Sequence, residues 1–262
     1  MKTQKPVFSG WRCLKGVLCG CLMAAGMMLA EAAPPPPDKL AAQDGEIILQ
    51  PLQHATLAMQ WKEHSIYVDP VGGAALFTNL PAPTLILLTD IHGDHLQVST
   101  LKAVVTEKTL LVAPPAVVEQ LPEDLRARTT TLTNGQSATV GGLSIEAIAA
   151  YNLAEDRVKF HAKGRGNGYV VTLGGKRIYL SGDTEDVPEM RALKNIDVAF
   201  VCMNLPYTMT VEQAAEAVKA FKPRIVYPYH CRGSDLNRFK ELLSGEKDIE
   251  VRLRDWYAVS RR

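Results

Sequence analysis

The feature that most constrains this 262-residue chain is a dense group of metal-capable side chains directly after a predicted buried strand. The apolar run over residues 84–88 is typical of a strand that is buried on both faces. The next residues include two carboxylates and two imidazoles: Asp90, His92, Asp94 and His95. If this segment stays extended, positions 90, 92 and 94 project to one side, and position 95 joins them as the chain turns. This density of imidazole and carboxylate favours a divalent transition metal over a solvated acidic turn.

Two more predicted strand ends carry side chains that can complete a metal site. An apolar strand that ends near residue 180 is followed by a Gly-Asp-Thr sequence containing Asp183, and a later strand ends at His230. Loops at strand ends hold the sites of α/β proteins, so we expect both residues to approach the 90–95 segment. Taken alone, Asp183 reads as a turn or cap residue and His230 as a core histidine. The ligand interpretation therefore depends on the first group.

The order of elements predicts an α/β fold in which two mixed β-sheets pack together and helices cover the outer faces. Short strands and a helix over residues 97–106 form the first half. The second half repeats this pattern, with a hairpin at Gly174-Gly175 and a helix over residues 211–221. Thr210 and Gln213 form a capping box at the start of that helix. No spacer divides the halves, and we expect one domain over residues 46–262.

The first 32 residues are typical of a secretory signal peptide. Basic residues precede an apolar run over residues 17–30, which ends in Ala30-Glu31-Ala32. That run is shorter than the roughly 20 residues of a membrane span, and an uncleaved anchor is the alternative. The proline-rich stretch over residues 33–45 predicts a semi-rigid linker. We therefore expect a periplasmic or secreted protein with no membrane span after signal removal.

The net charge limits the classes of partner that the protein is expected to bind, and the cysteine content leaves the question of a disulfide open. Without residues 1–32 the chain carries 25 basic and 27 acidic residues, a net charge of −2. This balance does not resemble a nucleic-acid footprint, so we expect a small-molecule partner and no nucleic acid. Cys202 and Cys231 remain, each just after a predicted strand. In an oxidising compartment they either form a disulfide or stay as buried thiols. No heptad or exposed apolar helix indicates an oligomeric state.

The sequence resembles the metallo-β-lactamase superfamily in the box from Asp90 to His95, the Gly-Asp-Thr strand end and the late His230. Residues 52–56 and 66–70 are similar to the subgroup that includes ascorbate-6-phosphate lactonase and N-acyl-phosphatidylethanolamine phospholipase D. The resemblance covers about residues 46–253. It implies a four-layer αββα sandwich of two mixed β-sheets flanked by helices. These motifs specify the fold and leave the substrate open.

The resemblance also implies a two-metal centre made from seven side chains. The first site would use Asp90, His92 and Asn152, the second would use Asp94, His95 and His230, and Asp183 would bridge the two ions. The family usually has His where Asp90 and Asn152 stand. An oxygen-rich first site is weaker for zinc and favours a harder ion such as manganese. One or two ions, zinc or manganese, are therefore compatible with this ligand set.

Other polar residues have open roles. His161 either binds metal, protonates a leaving group or is a surface hairpin histidine. Lys163 and Arg165, in the same glycine-containing loop, either hold an anionic group of the substrate or are two solvated charges. His54 is a candidate to support the ligands from behind. Residues 204–208 either line the cleft or lead into a helix.

The function that we predict is metal-assisted hydrolysis of an ester, lactone, amide or phosphodiester bond. Asp94, Asp183 and His161 are the candidate catalytic residues, with Asp94 as a proton acceptor. The altered positions Asp90 and Asn152 leave two alternatives. One is a metal-binding envelope protein of the same fold without catalysis, and the other is an envelope interaction module with a vestigial site.

Overall fold

The computed structural model of the protein describes residues 34–259, together with Met1 and Thr3. The predicted signal peptide thus lies almost wholly outside the described residues and stays a prediction. The described residues form two seven-stranded sheets with helices beside them. Within this part of the chain, no helix combines the length and the apolar character that crossing a bilayer needs.

The first sheet contains seven strands in chain order. They are β1 (Asp38–Ala42), β2 (Gly45–Gln53), β3 (Thr56–Trp61), β4 (His64–Val68), β5 (Leu85–Leu87), β6 (Leu110–Ala113) and β7 (Thr129–Thr131). Strands β1 to β4 pair antiparallel, and β4 to β7 pair parallel. Three helices, α1 (Val98–Val104), α2 (Pro115–Val118) and α3 (Glu123–Arg126), accompany the parallel part. Their buried residues Leu101, Val117 and Leu125 form one apolar cluster with Ile86 and Leu88 of the β5 region.

The second sheet repeats this plan. Its strands are β8 (Ser137–Val140), β9 (Leu143–Ala150), β10 (Gly166–Leu173), β11 (Lys176–Leu180), β12 (Val198–Cys202), β13 (Ile225–Tyr229) and β14 (Glu250–Val251). Strands β8 to β11 pair antiparallel, and β11 to β14 pair parallel. Three further helices belong to this half: α4 (Pro188–Arg191), α5 (Val211–Phe221) and α6 (Leu236–Leu242).

A large apolar core joins the two sheets. Residues such as Leu57 and Val68 of the first sheet belong to the same buried cluster as Val171 and Ile178 of the second. Each fully buried aliphatic side chain contributes roughly 1.5–3 kcal/mol by leaving water, so this interface is a main stabilising feature. The cluster continues to α5 through Val218. This arrangement is the predicted αββα sandwich, and the fold class is confirmed.

Helix α5 begins as the sequence predicts. The side chain of Thr210 accepts a hydrogen bond from the Gln213 backbone at 3.0 Å, and the Gln213 side chain accepts one from the Thr210 backbone at 2.9 Å. This reciprocal capping box satisfies two backbone donors that a helix N-terminus leaves free. The helix is followed by Lys222, whose positive φ of 48° ends the regular hydrogen bonding.

The folded domain begins earlier than residue 46, which corrects the boundary predicted for the linker. Residues 38–42 form β1, an edge strand that pairs with β2. The Asp38 carboxylate accepts hydrogen bonds from Arg254 Nε at 2.8 Å and from the Tyr227 hydroxyl at 3.0 Å. Strand β1 is only half-buried, so its sequence lacks the strong apolar alternation by which a strand is recognised.

The two cysteines of the described residues are free thiols. Cys202 and Cys231 are both buried, and no disulfide joins them. Of the two possibilities that the sequence left open, the structure has the buried thiols.

Candidate metal centre

Loops that follow strands of both sheets meet at one place and carry the predicted site residues. The segment 90–95 follows β5 of the first sheet, whereas Asp183 follows β11 and His230 follows β13 of the second. His161 comes from the loop between β9 and β10. The side chains form two clusters on either side of Asp183.

The two clusters are numbered like the two predicted metal sites, and the second consists of Asp94, His95 and His230. Asp183 Oδ2 lies 3.3 Å from His95 Nε2, and Asp183 Oδ1 lies 3.3 Å from His230 Nε2. Asp94 Oδ2 is also 3.3 Å from His230 Nε2. Ligand atoms about 2.0–2.1 Å from a tetrahedral ion stand roughly 3.3–3.4 Å apart. The spacing of His95, Asp183 and His230 therefore suits a single ion, and Asp94 adjoins these atoms through His230.

The first cluster consists of Asp90, His92 and His161. His161 Nε2 lies 3.1 Å from Asp183 Oδ2 and 3.8 Å from Asp90 Oδ2. His92 Nδ1 is 2.8 Å from Asp90 Oδ2. One ligand atom from each of the three residues lies within 4.8 Å of the others. Asp183 thus faces both clusters with its two carboxylate oxygens.

Four buried atoms at Asp183 have no hydrogen-bond partner among the described residues. They are His95 Nε2, His161 Nε2, Asp183 Oδ1 and His230 Nε2. A buried polar atom without a partner costs about 1–3 kcal/mol, so their convergence is unfavourable unless something binds between them. Imidazole nitrogen and carboxylate oxygen are ligands of divalent transition metals. The donor set therefore fits such an ion.

The carboxylates of the centre are held in the ionised form that binds metal. Burial raises the pKa of Asp183, but the neighbouring His230, His95 and His161 outweigh that effect and hold the pKa well below its usual value. Burial also raises the pKa of Asp94, but the neighbouring His230 and His54 outweigh that effect, so the pKa of Asp94 is lowered as well. Both groups accordingly offer anionic oxygen at neutral pH.

Acceptors behind two histidines determine which ring nitrogen faces Asp183. His95 Nδ1 lies 2.8 Å from Asp69 Oδ2, and His161 Nδ1 lies 3.1 Å from the Tyr207 carbonyl oxygen. An ionised carboxylate and a carbonyl only accept hydrogen bonds. Each Nδ1 therefore donates to the acceptor behind it, and each Nε2 is the ring nitrogen that faces the cluster. This is the second contact by which proteins orient metal-binding imidazoles.

His161 takes the position beside Asp90 and Asp183, and Asn152 supports it. His161 is buried within the first cluster and is not a surface hairpin residue. The Asn152 amide donates to the carbonyl oxygens of Arg157 and Tyr207 at 2.9 and 2.6 Å. Its nitrogen lies 3.3 Å from His161 Nδ1, while its Oδ1 has no partner in the described part of the chain. Asn152 thus lies behind the His161 ring.

Asp69 belongs to the site, although the sequence analysis gave it no role. It is fully buried, accepts hydrogen bonds from the Thr89 backbone at 2.8 Å and hydroxyl at 2.6 Å, and contacts His95. The available signal was a carboxylate that ends the apolar strand β4. A buried carboxylate needs partners, and these partners fix the His95 ring.

The two cations of the His161 loop are already paired. Arg165 donates from Nε to Asp90 Oδ1 and from its terminal nitrogen to Asp90 Oδ2, both at 3.1 Å, and also to the Phe160 carbonyl. Lys163 Nζ donates to Glu189 at 2.8 Å. Holding an anionic substrate group and being two solvated charges were the roles left open for them. Lys163 is largely exposed, as a solvated charge is, whereas Arg165 is mostly buried and bound to Asp90.

His54 contacts the second cluster from the turn between β2 and β3. Its Nε2 lies 3.1 Å from Asp94 Oδ2, and its Nδ1 lies 2.8 Å from the Tyr257 hydroxyl. The same hydroxyl accepts a hydrogen bond from the Cys231 backbone at 2.9 Å. His54 therefore has the supporting position predicted for it and orients Asp94.

Three non-glycine residues at the centre have left-handed backbone conformations. The φ angles are 51° at His54, 42° at Asp69 and 43° at His230. Such conformations are uncommon outside glycine and concentrate at functional sites, where the surrounding structure enforces them. His230 belongs to the second cluster, and the side chains of His54 and Asp69 contact it. The local backbone strain thus coincides with the positions that the centre needs.

An open cleft of about 280 Å³ gives access to both clusters. It is lined by His92, Asp94, Phe160, His161, Asp183, Asn204, Tyr207 and His230. The rings of Phe160 and Tyr207 meet edge to face, with centroids 5.1 Å apart. The segment 204–208, for which lining the cleft and leading into a helix were both possible, contributes Asn204 and Tyr207 to the wall.

Comparison with known proteins identifies the family. A family model described as a beta-lactamase superfamily domain matches residues 49–230. A UPF0173 metal-dependent hydrolase from Thermoplasma acidophilum is 30% identical over 209 residues, which cover 72% of this chain and 87% of that protein. A second, from Pyrococcus abyssi, is 30% identical over 176 residues, covering 64% of this chain and 77% of that protein.

Two solved structures are similar to this chain. A protein of Parabacteroides distasonis, solved as a metal-dependent hydrolase, is 38% identical with a TM-score of 0.77, covering 83% of this chain and 97% of its own. The metallo hydrolase Igni18 from Ignicoccus hospitalis shares the fold with a TM-score of 0.66 at 22% identity, covering 79% and 94% of the two chains.

The chain therefore belongs to the metallo-β-lactamase superfamily and is a metal-dependent hydrolase. The family resemblance and the enzyme class predicted from the sequence are thereby confirmed. The finer resemblance to ascorbate-6-phosphate lactonase and N-acyl-phosphatidylethanolamine phospholipase D stays a prediction, as do the individual metal ligands.

Proposed function

We propose that this protein is an exported hydrolase that cleaves an ester, lactone, amide or phosphodiester bond in a small molecule. The observation that carries the proposal is the convergence of unpaired, buried His95 Nε2, His161 Nε2, His230 Nε2 and Asp183 Oδ1 at one point. This convergence supports one or two divalent ions at Asp183. The relatives named as metal-dependent hydrolases support the same reaction class.

The second cluster would hold one ion through Asp94, His95, Asp183 and His230. The first cluster would hold another through Asp90, His92, His161 and Asp183. Each cluster thus offers two imidazoles and two carboxylates, a ligand set that suits zinc or manganese. When bound, a divalent ion at such a site lowers the pKa of water to about 7 and stabilises negative charge developing on oxygen.

Asp94 and His161 have different roles in the proposed reaction. Asp94 is half-exposed towards the cleft and is held by His54 and His230, so one of its oxygens is placed to accept a proton from the attacking water. His161 directs Nε2 at Asp183 and has its Nδ1 bound to a carbonyl. We therefore assign His161 to metal binding rather than to protonation of the leaving group.

The test is hydrolysis of 4-nitrophenyl esters, lactones and phosphodiesters by purified protein of measured metal content. Asp183→Ala should abolish turnover and reduce bound metal, and chelation followed by metal addition should remove and restore turnover. Asp186→Asn is a matched control, since Asp186 lies in the same loop and pairs with Arg191 away from the clusters. Full metal occupancy with every bond class inert, or full turnover in Asp183→Ala, would contradict the proposal.

Export has a separate test. The N-terminal sequence of the protein isolated from cell fractions should begin after Ala32, in the periplasm or the medium. Intact Met1 on protein that stays in the cytoplasm would exclude export and leave the hydrolase proposal untouched.

A further inference from the structure

A second groove opens beside the second cluster. Its volume is about 490 Å³, and it shares Asp94, Asn204 and Tyr207 with the cleft over the clusters. The remaining lining residues are Gln53, His54, Val71, Gly72, Gly93, Gln97 and Arg232. Clefts of roughly 300–1,000 Å³ accommodate small-molecule ligands. The groove and the cleft together are therefore large enough for a substrate that extends past the reacting bond.

Arg232 is the cation of this groove. Among the described residues that line the groove or the cleft, no other is a lysine or an arginine. Within residues 34–259, no carboxylate forms an ion pair with Arg232, in contrast to Arg165 and Lys163 in the neighbouring loop. An arginine side chain presents a planar fork of donors that matches a carboxylate or a phosphate. Arg232 thus retains its capacity for such a ligand.

One ring contact places the exposed Arg232 side chain relative to the metal centre. Its guanidinium carbon lies 4.9 Å from the ring centre of Tyr257. The Tyr257 hydroxyl is bound to His54 Nδ1 and to the Cys231 backbone. His54 in turn contacts Asp94 of the second cluster. A chain of contacts therefore connects the guanidinium to the metal centre, as a specificity residue requires.

We propose that Arg232 binds an anionic group of the substrate, a carboxylate or a phosphate, while the bond to be cleaved lies at the two clusters. The inference rests on the proposed function only for the position of the reacting bond. Asp94 is the one carboxylate among the described residues of the groove and lies at its border with the second cluster, whereas Gln53, Gln97 and the two glycines carry no charge. Arg232 therefore sets the electrostatic preference of the arm away from the clusters. The substrate class is accordingly a bifunctional small molecule, hydrolysable at one end and anionic at the other.

The test is calorimetric binding of unbranched dicarboxylates, from succinate to pimelate, and of monocarboxylates of matched length to the metal-loaded protein. A parallel series of phosphonocarboxylates distinguishes phosphate from carboxylate as the preferred group. One carboxylate of each probe serves the metal centre and the second group reaches Arg232. We expect one chain length to bind at least tenfold more tightly than the matched monocarboxylate. Arg232→Met should remove this difference, and Arg232→Lys should restore part of it.

Controls separate this inference from the proposed function. Arg238→Met removes an exposed arginine that pairs with Glu241 on α6, and it should leave the preference unchanged. Bound metal is measured in every variant, because equal metal content excludes an indirect effect. An equal preference in wild type and Arg232→Met, or no preference in the wild type, would overturn the inference even if hydrolysis is found. An Arg232-dependent preference without any hydrolysis would uphold it and count against the proposed reaction.

Discussion

Arg165 and Asp90 form a bidentate ion pair, with both carboxylate oxygens 3.1 Å from guanidinium nitrogens. The carboxylate that faces His92 and His161 is therefore neutralised by a cation of the same chain. Within the described residues, no lysine or arginine pairs with Asp94 or Asp183. The two clusters thus differ in net charge, although both contain two imidazoles.

We expect the two clusters to fill with metal unequally, the second before the first. Two unit charges about 4 Å apart interact by about 4 kcal/mol at an effective dielectric constant near 20. The loss of a residue that orients a ligand lowers metal affinity by about 10–100-fold, or about 1.4–2.8 kcal/mol. We expect repulsion of the ion by Arg165 to outweigh the orientation that Arg165 gives to Asp90. Arg165→Met should therefore strengthen binding of the second equivalent of metal.

Titration with Co²⁺, followed by absorption and by metal analysis, measures both binding steps. Lys163→Met is the control, since this lysine lies in the same loop but pairs with Glu189. Weaker binding of the second ion in Arg165→Met would show that orientation dominates over charge.

Asp69→Asn should lower affinity for the ion that fills first by about 10–100-fold. Asp69 accepts hydrogen bonds from His95 and twice from Thr89. An amide at this position turns at least one acceptor into a donor, and the His95 ring loses its fixed orientation. Competition with a chromogenic chelator gives the affinity. Asp44→Asn, on an exposed turn beside Lys62, should not change it, and equal affinity in both variants would contradict the role of Asp69.

His161→Ala and Asn152→Ala should have different effects. His161→Ala removes a ligand atom and should abolish binding at the first cluster, in addition to the stability lost with a buried ring. Asn152→Ala removes one hydrogen bond from each of the Arg157 and Tyr207 carbonyls, which keep a second donor in the Phe160 backbone and in His161. Two lost hydrogen bonds of about 0.5–1.5 kcal/mol each should lower the unfolding free energy by about 1–3 kcal/mol. Urea denaturation of the metal-free proteins and metal titration measure the two effects. The reverse pattern would return the ligand role to Asn152.

Cys202 and Cys231 should resist alkylation in the native protein at pH 8. Burial raises the pKa of each thiol to about 12, so the reactive thiolate is scarce at this pH. Labelling with iodoacetamide before and after denaturation without reductant, followed by peptide mapping, reports each cysteine separately. Both should be labelled only after denaturation, whereas a pair that resists labelling even then would be a disulfide.

The fold and the core of the site were predictable because their signals are local. The apolar strands are recognisable in the sequence as hydrophobic runs. Four metal-capable residues within 90–95 directly follow one of them. Asp183 and His230 also end strands, so the sheet brings them together by topology alone. Their meeting follows from the α/β architecture and does not depend on loop conformation.

Contacts that depend on loop conformation could not be predicted from the sequence. Whether Asn152 or His161 faces Asp183 is decided by the path of the segment between β9 and β10. The pairing of Arg165 with Asp90 joins residues far apart in the chain. Strand β1 was assigned to the linker because an edge strand with one half-buried face has weak alternation. Asp69 lacked a role because its partners become apparent only when β4 and β5 are adjacent.

The centre takes His95 from a loop of the first sheet and Asp183 and His230 from loops of the second. An ion among them therefore works as a cross-link between the two halves of the chain. Any ligand that binds only the folded state raises its stability in proportion to the logarithm of its concentration. Heat resistance of this hydrolase should thus track the free metal in its surroundings, so that metal starvation exposes the protein to unfolding as well as to loss of activity.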